Sequence, residues 1–86
     1  MIFLPVQCRM ARAALGLGVR ELASSAKVSS DTVARFERGD ELKERTIEAL
    51  QRTLEAAGVE FIDENGGGPG VRLRKATKEK SRKERG

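Results

Sequence analysis

A run of four hydrogen-bonding side chains, Ser29-Ser30-Asp31-Thr32, is followed one helical turn later by Arg35 and then by Arg38. Hydroxyls donate and accept, a carboxylate only accepts, and a guanidinium donates in a fixed fork. Such a set suits recognition of another molecule's polar edge. The equipment for bond-breaking is thin by comparison. The sequence holds one cysteine, Cys8, and no histidine. A single cysteine excludes an internal disulfide, and without histidine a zinc site lacks ligands. No base–nucleophile pair or metal cluster stands out, so a binding protein without metal or cofactor is expected rather than an enzyme.

The stretch 18–39, GVRELASSAKVSSDTVARFERG, must position those side chains. Leu22, Ala23 and Ala26 give an apolar stripe to a helix over about 19–26, and Val33 and Phe36 do so for a helix over about 30–38. Ala26-Lys27-Val28-Ser29 fills the turn between them. Ser29 is a good N-cap, and Gly39 suits the left-handed residue that closes a helix. Two short helices about a tight turn make a helix-turn-helix, whose second helix enters the DNA major groove. With Val33 and Phe36 inward, Ser30, Asp31, Ala34, Arg35 and Arg38 face outward. Ser29, Ser30, Asp31 and Thr32 are then the first candidates for base edges, and Arg35 can reach guanine O6 and N7 together. Asp31 has two readings, an acceptor for a cytosine amino group or an acid favoured by the helix dipole. Arg38 and Lys27 read as phosphate contacts, against plain solvated surface charge.

Taken together, Arg12, Leu15-Gly16-Leu17, Glu21-Leu22-Ala23, Val28-Ser29, Thr32-Val33 and Phe36-Glu37-Arg38-Gly39 resemble the Cro and lambda-repressor type of helix-turn-helix proteins, the XRE family. The resemblance runs from about residue 6 to 57. It implies a mostly α fold, a four-to-five-helix lambda-repressor-like domain. It also implies that Arg12 pairs with Glu37, fastening the first helix to the recognition helix. Where the family has Ser or Thr followed by Gln at the start of the second helix, this chain has Gly18-Val19. A phosphate contact is lost there, and Arg20 is the nearest substitute. The loop Asp40-Glu41-Leu42-Lys43-Glu44 is more acidic than the family's, leaving Lys43 and Arg45 as its cationic contacts.

Charge is unevenly spread. Residues 1–39 carry six Lys/Arg against three Asp/Glu, residues 40–64 three against eight, and residues 65–86 eight against two. The net of +4 is thus a mildly basic helix-turn-helix, an acidic segment expected to face away from phosphate, and a basic tail. The start MIFLPVQC has neither a charged leader nor a long apolar run. A cytoplasmic protein with no membrane segment is expected.

Pro5 suits the first turn of a helix that runs to about Leu15, with Cys8, Ala11 and Leu15 on one face. Cys8 on that stripe reads as a small buried hydrophobe rather than a reactive thiol. Leu4 is a poor cap. Ile47, Leu50 and Leu54 form the stripe of a fourth helix ending near Ala57, with Gly58 as its closing glycine. The period then changes to two. Val59 and Phe61 alternate with Glu60 and Ile62, the cluster Asn65–Gly70 turns, and Val71-Arg72-Leu73-Arg74 alternates again. This predicts a C-terminal two-stranded β-hairpin.

Three regions are expected: 1–58, a helix-turn-helix DNA-binding domain; 59–74, a hairpin for dimerisation; and 75–86, a disordered basic tail. A lone hairpin is marginal in water and needs the helical core or another chain. Phe61, Ile62, Val71 and Leu73 are the candidate dimerisation residues, against a hairpin folded back on its own monomer. The tail is either a sequence-independent arm on DNA or a solubilising segment. The expected function is a dimeric double-stranded-DNA regulator, with repression by promoter occlusion the simplest mechanism for so short a chain. The resemblance suggests a phage, plasmid or integrative-element setting. The alternative is a protein-interaction module, such as an antitoxin or antiactivator, that also binds its own operator.

Overall fold

A computed structural model of the chain describes residues 2–74. The expected basic tail lies outside the described residues. Four helices and a hairpin follow one another: α1 (Pro5–Leu15), α2 (Val19–Ala26), α3 (Ser30–Glu37), α4 (Glu44–Ala57), β1 (Val59–Ile62) and β2 (Gly70–Leu73).

Local chemistry sets each boundary. Pro5 opens α1 from an extended Leu4, whose side chain cannot accept a hydrogen bond. The cap is completed from the other direction, because the Leu4 N–H donates to Gln7 Oε1 at 3.0 Å. Glu21 does the same for the Gly18 N–H at 2.7 Å, opening α2. Ser29 caps α3 by accepting from the Thr32 N–H at 3.0 Å. Gly16 (φ 71°) and Gly39 (φ 96°) follow α1 and α3 in the left-handed region. The turn after α2 uses Lys27 in that conformation, at φ 63°, the one non-glycine with positive φ among the described residues. A β-carbon is strained there, so the turn is held by its partners: the Val28 N–H donates to the Ala23 carbonyl at 3.0 Å.

The core is aliphatic with a small aromatic cluster. Cys8, Ala11, Leu22, Ala23, Val33, Phe36, Leu50, Leu54 and Val59 are buried, and Ile47, Phe61 and Val71 pack against them. The apolar lead-in also contributes. Phe3 is buried, with its ring 5.3 Å from Phe36 and 4.8 Å from Phe61, the latter edge-on. Strands β1 and β2 pair antiparallel with Val59 opposite Leu73 and Ile62 opposite Gly70. The second strand therefore starts one residue before the alternation suggested. The hairpin folds back on its own helices, β2 against α1 and β1 against α4.

One buried amide joins the two ends of the fold. Gln7, fully buried, donates from Nε2 to the carbonyls of Ile62 at 3.1 Å and Gly70 at 3.0 Å. The same side chain thereby caps the first turn of α1 and ties down the loop end of the hairpin. No helix of the described residues is long and apolar enough to cross a membrane.

Candidate nucleic-acid interface

Helix α3 turns Val33 and Phe36 into the core and carries Ser30 and Asp31 fully outward, with Thr32 and Arg35 partly exposed. Eight residues at 1.5 Å each make a rod about 12 Å long, short enough to lie within a B-DNA major groove. Lys27 stands exposed at the turn before it, and Lys43 is exposed at the start of α4. Thr32, Arg35, Glu41, Leu42, Lys43 and Thr46 line an open polar cleft along the flank of α3.

The candidate base-reading groups do not stand on equal terms. The Ser29 oxygen is engaged by the Thr32 amide, and its hydroxyl lies 2.8 Å from that of Thr32. Both hydroxyls are thus committed to the cap. Ser30 and Asp31 keep exposed side chains. Arg35 and Arg38 converge on one carboxylate: Asp40 Oδ2 lies 3.7 Å from Arg35 Nε and 3.1 Å from Arg38 Nη2.

Behind this face, the angle of α3 is set by charges at its last turn. Arg12 donates from Nε and Nη2 to the two carboxylate oxygens of Glu37, at 2.7 and 2.8 Å. Its Nη1 also donates to the Leu17 carbonyl. Arg9 donates to the backbone carbonyl of Glu37. The side chains of Arg12 and Glu37 are 20% and 8% exposed, so the pair is largely desolvated. Burial pulls the Glu37 carboxyl up, but the bonds from Arg12 and from the Cys8 thiol, together with the Arg12 and Arg9 charges, hold it below the ordinary carboxylate value. Burial, and next the facing Glu37 carboxylate, push the Cys8 thiol well up, which keeps it protonated.

Sequence reasoning singled out Arg12, Glu37, Arg35 and Arg38 and read Cys8 correctly as buried, but it missed Arg9 and took Asp40 only as part of an acidic loop, not as the partner of Arg35 and Arg38. A short signal existed only for Asp40, which directly follows the capping Gly39. Of the residues considered for dimerisation, Phe61 and Val71 pack on the core of their own chain, Ile62 is partly buried, and Leu73 is 56% exposed.

Two short helices about a tight turn, the second presenting a polar face and braced from behind by α1, define a helix-turn-helix DNA-binding domain. The chain belongs to a helix-turn-helix domain family of the XRE/Cro-like group, whose family model matches residues 6–61. No curated protein matches the chain significantly.

Proposed function

We propose that this protein is a dimeric, sequence-specific transcriptional regulator that acts in the cytoplasm and represses by occluding a promoter, its own operon included. A phage, plasmid or integrative element is the setting suggested by its likeness to Cro-type proteins. The observation that carries the reading is the division of α3: Val33 and Phe36 inward, and Ser30, Asp31, Arg35 and Arg38 on the open side. In the roles proposed, Ser30, Asp31 and Arg35 meet base edges, Thr32 and Ser29 orient the helix start, and Lys27, Arg38 and Lys43 meet phosphates. The hairpin, residues 59–74, contributes the dimer contact through Leu73 and the open edge of β2.

The test is a titration of the protein on the DNA upstream of its own gene and on scrambled DNA, at two salt concentrations. Saturable binding to the upstream DNA that survives the higher salt and is lost in Arg35→Ala is expected. Equal, salt-sensitive binding to both would remove the regulator reading.

A second reading is favoured by one feature, the exposed apolar pair Val6 and Met10, one turn apart on α1. A protein partner seated there would make the chain an antitoxin- or antiactivator-like module that also binds DNA.

A further inference from the structure

Helix α3 ends in a Schellman motif. The Gly39 N–H donates to the Phe36 carbonyl at 3.0 Å, and the Asp40 N–H donates to the Arg35 carbonyl at 2.9 Å. This motif folds the residue after the glycine back over the third residue from the helix end, where an apolar pair commonly meets. Here the pair is charged, Asp40 over Arg35. The backbone positions of both are fixed by the helix and its cap, and the cap requires the positive φ of Gly39. The carboxylate is therefore placed by the fold, not by a wandering loop.

Its geometry has two effects. Arg35 faces the carboxylate with Nε, which leaves Nη1 and Nη2 for a bidentate acceptor such as guanine O6 and N7. Arg38 Nη2 lies 3.1 Å from the same oxygen, so the carboxylate offsets part of the charge that Arg38 offers a phosphate. That offset meets every DNA sequence alike. Only a site that also satisfies Arg35 gains something in return.

We propose that Asp40 is a specificity-determining positioning residue, which aims Arg35 at a guanine and opposes capture of Arg38 by random phosphates. The proposal rests on α3 being the DNA-reading helix. It is tested by titrating wild type, Asp40→Asn, Asp40→Glu, Arg35→Ala and the Asp40→Asn/Arg35→Ala double variant on the upstream and scrambled DNAs. Asp40→Asn should bind scrambled DNA more tightly, with a log–log salt slope steeper by about one. Its ratio of upstream to scrambled affinity should fall roughly tenfold, near the lower end of what one bidentate arginine–guanine pair discriminates. Asp40→Glu should keep most of the ratio. With Arg35 already alanine, Asp40→Asn should leave the ratio unchanged while still steepening the slope. A ratio unchanged in Asp40→Asn, or one that falls as far without Arg35, would overturn the proposal. Should wild type itself show no preference for the upstream DNA, the DNA-reading role falls and this proposal with it. A wild-type preference with an unaltered Asp40→Asn ratio removes only the role of Asp40.

Discussion

At the scale of single residues, Glu37 carries the most consequence. Its carboxylate accepts two bonds from Arg12 and lies beside the Cys8 thiol, in a site closed to water on most sides. Removing one member of a desolvated pair leaves the other without a partner, which destabilises by about 3–5 kcal/mol where burial is complete. Arg12→Ala strands the more buried partner, whereas Glu37→Gln leaves a guanidinium that still reaches solvent. Arg12→Ala is therefore expected to lower the melting temperature more, and Arg12→Lys should not restore it, because an ammonium cannot make the two-pronged contact. The pH dependence follows from the depressed carboxyl. A group whose folded pKa lies below its unfolded value of 4.5 contributes stability above that value and loses it as pH falls through the folded one. Thermal unfolding of wild type and Arg12→Ala should thus differ by a constant amount near neutrality and converge below about pH 4.5.

At the scale of elements, the helices were legible because their signals are local. A capping Ser29, the glycines Gly16, Gly39 and Gly58, and apolar residues spaced by three and four reside within one or two turns of each boundary. What escaped is either strained or distant. Lys27 sits in a conformation that favours glycine, and nothing in its side chain announces it. Gln7 looks like one more polar residue on an amphipathic helix, yet its partners lie 55 and 63 residues away. No periodicity encodes such a contact; it exists because the hairpin folds back beside the first turn of α1. The same holds for Arg9 and the Glu37 carbonyl, 28 residues apart. Gln7→Ala should remove three hydrogen bonds and leave buried polar groups without partners. A loss of about 2–3 kcal/mol is expected, read as a melting temperature lower by roughly 10–20 °C. Amide exchange in β1 and β2 should accelerate in that variant beyond the exchange in α2 and α3. Uniform acceleration would mean that Gln7 does not hold the hairpin selectively.

At the scale of the whole molecule, the hairpin has two sides with different fates. Its inner side is spent on the core through Val59, Phe61 and Val71. The Arg74 N–H donates to the Gly58 carbonyl at 2.7 Å, which makes residues 58 and 74 a hydrogen-bonded pair. By the alternation of an antiparallel ladder, the backbone groups of Val71 and Leu73 then point off the outer edge of β2. Two such edges related by a two-fold axis can pair, and Leu73 lies beside the seam. Leu73→Glu would set like charges against each other across that axis. It should convert a dimer in sedimentation experiments to a monomer and weaken binding to a two-fold DNA site, while leaving the helical circular dichroism intact. If wild type sediments as a monomer on and off DNA, the edge is simply an edge.

The contacts of Gln7 also impose an order in time. A chain leaves the ribosome from its first residue onward, and local helices can form as they emerge. The acceptors for Gln7 Nε2 sit in the two strands, so this half of the amide waits for Ile62 and then Gly70 to be made. Phe3 waits likewise for Phe61. The residues that open the domain are thus among the last to find their places, and the domain closes only when its hairpin arrives.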